Sequence, residues 1–237
     1  TSYVYDDAGR QTTVTQPLGR ILTRTFDSVG NPLSETLPNG RIYSYVYDDL
    51  NRRTKITDPL NGETLTAYDD HGNLIEQTDA EGRVTAFTYD QLHREISRAE
   101  PTRTILTTYD SNGNRISVTD GNGKLTAFSY DALNRLTGTQ NPEGGRQFFE
   151  YDNGGNLTRE VNDRFVVTNH SYGPQNRRSQ TVLDGLTTSF AYDAVGNLIL
   201  EGLPNGNAIT RTYDALNRLT SVSDLLGQVE KREYDSN

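Results

Sequence analysis

The 237-residue chain is acidic and only thinly hydrophobic. It has 23 Lys and Arg against 32 Asp and Glu, a net charge of -9, 32% hydrophobic residues and a mean hydropathy of -0.74. A pI near 4.8 speaks against a phosphate-backbone partner, because nucleic-acid binders concentrate positive charge. The absence of Cys excludes disulfides and thiolate metal sites, and no apolar run reaches the ~18 residues of a membrane span.

Low hydrophobicity with net charge is also a mark of disorder. Here, however, Tyr, Thr, Val and Ile recur at regular spacing, and these residues favour strands. A thin β structure with much solvated surface satisfies both facts.

From the first residues onward an aromatic side chain returns every 20 or 21 positions: Tyr5, Phe26, Tyr47, Tyr68, Tyr89, Tyr109, Tyr130, Tyr151, Tyr172, Tyr192, Tyr213 and Tyr234. Asp follows each of these anchors except Tyr172, where Gly173 stands instead. A strict period in this range means one small unit stacked many times. It argues for residues 1–237 as a single array of about eleven repeats. The array begins and ends inside a repeat, as expected of a fragment of a longer protein.

Four residues after each anchor stand Gly9, Gly30, Asn51, Gly72, His93, Gly113, Asn134, Gly155, Asn176, Gly196 and Asn217. Gly adopts positive φ freely, and Asn and His are enriched there. Asp opening a type I turn, followed by a left-handed residue, is the signature of a three-residue hairpin loop. All eleven positions are therefore expected at φ > 0.

A second turn lies mid-repeat, as in Asp79-Ala80-Glu81-Gly82, Asp120-Gly121-Asn122-Gly123 and Asn141-Pro142-Glu143-Gly144. Pro17, Pro38, Pro59, Pro101, Pro142 and Pro204 take its second position, where a φ near -65° suits a turn. Two turns per repeat leave two strands of about six residues, an ordinary strand length. Each repeat is read as one β-hairpin. Roughly 22 strands in one antiparallel sheet should curl into an arc or spiral; the alternative is a parallel β-helix.

Within strands, Tyr45 with Tyr47, Phe87 with Tyr89, Phe128 with Tyr130 and Phe190 with Tyr192 share a face. They are expected to pack through cross-strand neighbours, the alternative being a carbohydrate-stacking platform. Interleaved Arg is read as part of solvated strand faces.

A longer period hides inside the first. The pair after each turn alternates between Gly-Asn (Gly30-Asn31, Gly72-Asn73) and Asn-Arg (Asn51-Arg52, Asn134-Arg135). Seven residues after the anchor the Gly-Asn repeats carry Leu33, Ile75, Ile116 and Ile199, with Thr158 as the exception. The Asn-Arg repeats carry Thr54, Thr137 and Thr220 there, with Ile56 and Val222 two places on. Successive hairpins should occupy alternating environments.

No chemistry-bearing constellation emerges, and no catalytic, cofactor-binding or metal-ligating residue is expected. His71 and His93 fall in turns and His170 in a strand, with no common register. Asp110-Ser111-Asn112-Gly113-Asn114 and Asp120-Gly121-Asn122-Gly123 lack the closing glutamate of a calcium loop. Carboxylates recur in register, which marks architecture rather than an acid–base pair. Asn156-Leu157-Thr158 and Asn169-His170-Ser171 match the glycosylation triplet, a frequent chance match.

The unit Tyr68-Asp69-Asp70-His71-Gly72-Asn73-Leu74, followed by Thr78-Asp79-Ala80-Glu81-Gly82-Arg83, resembles the YD-repeat or rearrangement-hotspot (Rhs) family, and the likeness covers essentially the whole chain. The family includes bacterial polymorphic toxins, toxin-complex components and the animal teneurins. The resemblance implies a β-hairpin ribbon spiralling into a hollow shell, secreted or at the cell surface. In toxin members the shell encloses a C-terminal toxic polypeptide; in teneurins it presents an adhesion surface.

The C-terminal shell-closing region of the bacterial family is not found here. Asp58-Pro59-Leu60-Asn61-Gly62 lies in phase with ordinary mid-repeat turns. The reading is a non-enzymatic wall segment. Its expected partners are an encapsulated toxin polypeptide or adjacent repeats of the parent chain, with edge-to-edge self-association at exposed sheet edges. A carbohydrate-binding or adhesion module is the alternative.

Overall fold

The structure is a computed structural model that describes residues 1–224, 227 and 229–234; the final anchor's Asp235 lies outside them. The fold is all-β, with 23 strands in an antiparallel sheet and two short 3-10 turns at Pro17–Gly19 and Pro174–Asn176. The chain divides into two compact units.

The first unit comprises Thr1–Thr108 and Ser117–Lys124. It holds β1 (Ser2–Tyr5), β2 (Gln11–Thr15), β3 (Ile21–Phe26), β4 (Pro32–Thr36), β5 (Ile42–Tyr47), β6 (Arg53–Thr57), β7 (Glu63–Tyr68), β8 (Leu74–Thr78), β9 (Val84–Tyr89), β10 (Glu95–Glu100) and all but the last residue of β11 (Arg103–Tyr109). The boundary runs through β12 (Arg115–Thr119).

The second unit comprises Tyr109–Ile116 and Leu125–Asn237. It holds β13 (Leu125–Tyr130), β14 (Leu136–Gln140), β15 (Arg146–Tyr151), β16 (Leu157–Val161), β17 (Val167–Tyr172), β18 (Arg178–Leu183), β19 (Leu186–Tyr192), β20 (Leu198–Gly202), β21 (Ala208–Tyr213), β22 (Leu219–Ser223) and β23 (Val229–Lys231). From β1 to β11, and again from β13 to β23, each strand pairs antiparallel with its neighbour in the chain. That is the tandem-hairpin arrangement expected, and it excludes the parallel β-helix.

Both kinds of turn close with the same backbone bonds. In the anchor turn Asp69 N–H donates to Asn73 O at 3.0 Å and Gly72 N–H to Asp69 O at 3.1 Å. In the mid-repeat turn Asp58 N–H donates to Gly62 O at 2.8 Å and Asn61 N–H to Asp58 O at 3.0 Å. The closing residue is left-handed in each case. All eleven positions four after an anchor have positive φ, from 55° at Asn176 to 109° at Gly196.

The two 20-residue intervals have a plain cause. Between Tyr89 and Tyr109 the mid-repeat loop is Pro101-Thr102, and between Tyr172 and Tyr192 it is Asp184-Gly185. Both are two-residue loops, bracketed by the pairs Glu100↔Arg103 and Leu183↔Leu186.

A β-bulge stands at the anchors Tyr5, Phe26, Tyr47, Tyr68, Tyr89, Tyr130, Tyr151, Tyr172, Tyr192 and Tyr213. Tyr68 faces Leu74 while Ala67 faces Glu76, which leaves Ile75 as the extra residue. The position that alternates between Leu or Ile and Thr is thus the bulge, where one residue drops out of the ladder. Threonine there reaches back across it: Thr12, Thr54 and Thr158 donate Oγ1–H to the carbonyls of Val4, Val46 and Glu150 at 3.2, 3.3 and 3.2 Å. Isoleucine has no such bond to make, and Ile75, Ile116 and Ile199 are exposed.

The incoming strands alternate in burial. In β5, Tyr43, Tyr45 and Tyr47 are half-buried while Ile42, Ser44 and Val46 are exposed. Ile56 lies opposite Tyr45 on that half-buried face. No thick core exists among the described residues. Among the described residues Val161, at 7% exposure, is the one buried large apolar side chain, and His170, at 9%, the one buried polar side chain.

Candidate functional site

The feature built with most care is the anchor turn itself. The anchor Asp carboxylate caps it from inside. Asp48 Oδ1 accepts the N–H of Leu50 at 3.0 Å and of Arg52 at 2.9 Å. Asp69 Oδ1 does the same for His71 at 2.9 Å and Asn73 at 2.8 Å. These amides point into the turn and would otherwise have no protein acceptor. The second oxygen, Oδ2, is left for the side chain five residues after the anchor, and here the repeats divide into two kinds.

In the first kind that side chain is Arg. Its Nε–H donates to Oδ2 at 2.7 Å in the pairs Arg10–Asp6, Arg52–Asp48, Arg94–Asp90, Arg135–Asp131 and Arg218–Asp214. The guanidinium continues into the next repeat. Nη1 of Arg10, Arg52 and Arg135 donates to the carbonyls of Asp27, Asp69 and Asp152 at 2.7, 2.9 and 2.8 Å. The same groups lie over the next anchor ring: Arg10 on Phe26 at 5.1 Å, Arg52 on Tyr68 and Arg135 on Tyr151 at 4.8 Å, and Arg218 on Tyr234 at 4.6 Å. A cation over a ring at such distances contributes about 0.5–1 kcal/mol at an exposed site.

In the second kind the side chain is Asn. Nδ2 of Asn31, Asn73, Asn114, Asn156 and Asn197 donates to its own anchor Asp at 2.8–2.9 Å. It also donates forward, to Oδ1 of Asn51, Asn134, Asn176 and Asn217 at 2.8–3.1 Å. Asn73 meets His93 Nδ1 instead, at 3.0 Å. The left-handed Asn is therefore more than a residue tolerant of positive φ: its side chain is the acceptor for the preceding turn. This is the physical content of the two-repeat alternation.

The anchor hydroxyls close the lattice. Tyr89, Tyr151, Tyr172 and Tyr213 donate to the carbonyls of Leu74, Leu136, Leu157 and Leu198 at 2.8–3.0 Å. Each acceptor is the first residue of the preceding outgoing strand, next to the bulge.

The carboxylates respond to this environment. Asp6, Asp48, Asp131 and Asp214 are held below the ordinary Asp value. The first cause is the backbone N–H of the Arg four residues on; desolvation opposes it and the Arg side chain adds to it. In Asp69, Asp110 and Asp152 the amide of the paired Asn is the first cause. In Asp27 and Asp193 desolvation is the largest single influence, yet the combined hydrogen bonds outweigh it and the net shift is downward. These are acceptors fixed in the ionised state, which suits a structural cap and not a proton donor.

The aromatic side chains find mostly arginine rather than one another. Arg98 lies over Phe87 at 5.4 Å, Arg53 over Tyr45 at 5.6 Å and Arg115 over Phe128 at 4.9 Å. Arg53, Arg98 and Arg115 are exposed, as solvated strand faces require, whereas the half-buried turn arginines Arg10, Arg52 and Arg135 are integral to the packing and go beyond that reading. The signal was present in the Asn-Arg alternation, because a cation recurring at one fixed offset from a carboxylate marks a pair.

The histidines do not form one site, but two of them meet. The rings of His71 and His93 are 4.7 Å apart, centre to centre, because successive anchor turns stand side by side. His170 is separate: its Nδ1 is 3.0 Å from Thr181 Oγ1. The calcium-like segments have committed their carboxylates. Asp110 takes the amides of Asn112 and Asn114, and Asp120 those of Asn122 and Lys124. Among the described residues no three His, Asp or Glu side chains converge as metal ligands, and no helix is long and apolar enough to cross a membrane.

The RHS Repeat family model matches residues 26–63, 68–105, 109–146 and 192–229, more than half of the chain. The chain belongs to the RHS repeat family. No curated protein matches it.

Two solved structures share the fold. One, described as TcdB2-TccC3-TEV, is 16% identical with a TM-score of 0.61 over 99% of this chain and 17% of its own. The other, TcdB2-TccC3 without its hypervariable C-terminal region, is 22% identical with a TM-score of 0.59 over 93% of this chain and 12% of its own. This RHS-repeat chain spans under a fifth of either. At these identities the likeness is one of fold.

Proposed function

We propose that this chain is a non-enzymatic wall segment of an RHS-repeat shell that encapsulates a C-terminal toxin polypeptide for delivery, in a protein that is secreted or displayed at the cell surface. Residues 1–237 act as one continuous array of about eleven repeats, and the partners are the passenger and the neighbouring repeats of the parent chain.

The observation that carries this reading is the use of polar side chains for internal bonding. Asp, Arg, Asn and the Tyr hydroxyls are bonded within the repeats, so the faces offer a partner little that is unsatisfied. A wall of that kind can enclose a polypeptide without gripping it. The description of one similar structure as lacking a hypervariable C-terminal region agrees with a passenger placed after the repeats. The carbohydrate-platform reading gains less support, because arginines already cover Phe87, Phe128 and Tyr45.

The test is limited proteolysis of the parent protein that contains these repeats. The segment C-terminal to the shell should survive protease that degrades it when it is expressed alone. Cleavage of that segment at the same rate in both settings would overturn encapsulation.

A further inference from the structure

One anchor turn breaks the rule. At Tyr172 the Asp is replaced by Gly173, yet Arg177 still stands five residues after the anchor. The turn closes as the 3-10 segment Pro174–Asn176, in which Gln175 as well as Asn176 is left-handed, with φ of 63° and 55°. Arg177 keeps its forward bond, with Nη1 2.8 Å from Asp193 O. Its Nε and Nη2 find no acceptor among the described residues.

The guanidinium has also moved. It lies 5.8 Å from the Tyr192 ring centre, farther than its counterparts lie from theirs. A Cβ built on Gly196 would meet Nη2 at 2.9 Å, whereas the equivalent glycines Gly30, Gly72 and Gly155 have nothing within 4 Å. The space of the missing side chain is open. A Cβ on Gly173 would meet only Arg177 O, at 3.9 Å, and the backbone there, φ -95° and ψ -164°, is extended and open to any residue. Beside it a groove of about 320 Å³ is lined by Pro174, Gln175, Arg177, Ser179, Phe190 and Tyr192, among others.

We propose that this vacancy is a binding site for a carboxylate on another polypeptide segment, an Asp side chain that takes the seat occupied in five sister turns by Asp6, Asp48, Asp90, Asp131 and Asp214. The Nε and Nη2 edge of a guanidinium matches a carboxylate with two parallel N–H···O bonds. In the sister turns this edge meets a single oxygen, Oδ2, through Nε and in Arg94 also through Nη2 at 2.6 Å, because Oδ1 is taken by the turn amides; a free carboxylate can offer both oxygens. An aspartate is favoured over a sugar acid because the seat is the one these repeats elsewhere build around an aspartate side chain. Phe190 and Tyr192 give the incoming segment an apolar wall.

The experiment is an NMR titration of the Arg177 Nε–H resonance in the 237-residue chain with acetyl-Asp-amide at millimolar concentrations. The resonance should move saturably, and acetyl-Asn-amide should leave it in place. In Gly173→Asp the resonance should start near its bound position and the response should weaken about tenfold or more, because the site then holds its own carboxylate.

If Gly173→Asp fails to fold, Arg177→Gln gives the same information: saturation-transfer signal on acetyl-Asp-amide, present with the wild type, should vanish. An undiminished titration in Gly173→Asp, an equal response to acetyl-Asn-amide, or tighter binding of galacturonate or inorganic phosphate than of acetyl-Asp-amide would each overturn the assignment.

Discussion

The anchor turns and the mid-repeat turns share one backbone design and differ in what ties them to their neighbours. Anchor turns are bonded turn to turn: Arg52 bridges Asp48 and the Asp69 carbonyl, and Asn73 bridges Asp69 and His93. Mid-repeat turns carry caps that serve their own loop, such as Asp58 for Leu60 and Gly62, Asp79 for Glu81 and Arg83, and Asn141 for Gly145. Loop length follows the difference. The two shortened loops, Pro101-Thr102 and Asp184-Gly185, both lie in the mid-repeat row. A row whose members bond to one another must keep its spacing, while loops capped by their own Asp or Asn, as at Asp58 and Asp79, can lose a residue.

The sharpest way to break this comparison is insertion. One extra residue between His71 and Gly72 should displace the left-handed position and part Asn73 from His93, with a fall in Tm of about 5 °C or more. The same insertion between Glu81 and Gly82 should cost far less, as loops of self-contained bonding tolerate length changes. Equal losses by thermal denaturation would mean that the two rows are not distinct.

Acid should act next, and mostly on the anchor row. Ten anchor carboxylates, from Asp6 to Asp214, are held below the ordinary Asp value in the folded state; in the mid-repeat turns Asp79, Asp120 and Glu100 are also lowered. For a depressed carboxylate the stabilisation is present above the unfolded value and is lost as pH falls through the folded value. Stability should therefore hold from neutral pH to about 4 and drop below it. Hydrogen exchange should show the anchor-turn amides of Arg52 and Arg135 losing protection before the mid-repeat amide of Gly145, whose cap Asn141 does not titrate.

The smallest effect comes from single arginines. Arg135→Ala removes a carboxylate bond, a carbonyl bond and the contact with Tyr151, and should lower Tm by about 2–4 °C in a chain of this size. Arg83, whose pairs with Asp79 and Glu81 lie within its own mid-repeat turn with 64% of its side chain exposed, should change to Ala with no measurable loss. If Arg83→Ala proves the more damaging, the ranking of the two rows is inverted.

The fold was legible because its constraints are local. Positive φ demands Gly, Asn or a similar residue at one fixed offset, and a hairpin demands turns at both ends of each strand pair. The bulge at Ile75 and the two-residue loops behind the 20-residue intervals were visible as periodic features, but their cause was not, since register is a property of two strands. The side-chain bonds were hidden for a related reason. Arg52 and Asp69 are 17 residues apart, and Asn73 and His93 are 20 apart, so their pairing depends on which turns stand side by side. The vacancy at Gly173 became readable only once its sister turns showed what Asp does there.

The forward bonds of Arg and Asn have a consequence for how such a gene can grow. An Asn turn hands its amide to an Arg turn that offers an Asn or His acceptor, and an Arg turn hands its guanidinium to the carbonyl of an Asn turn. Unequal crossing-over that removed a single unit carrying an Arg turn would set two Asn turns together, and the first amide would face a glycine in place of its Asn or His acceptor. Crossing-over that removed about 42 residues would leave every junction as it was. Duplication and loss in pairs is therefore the conservative step, and the number of repeats in such genes should drift by twos.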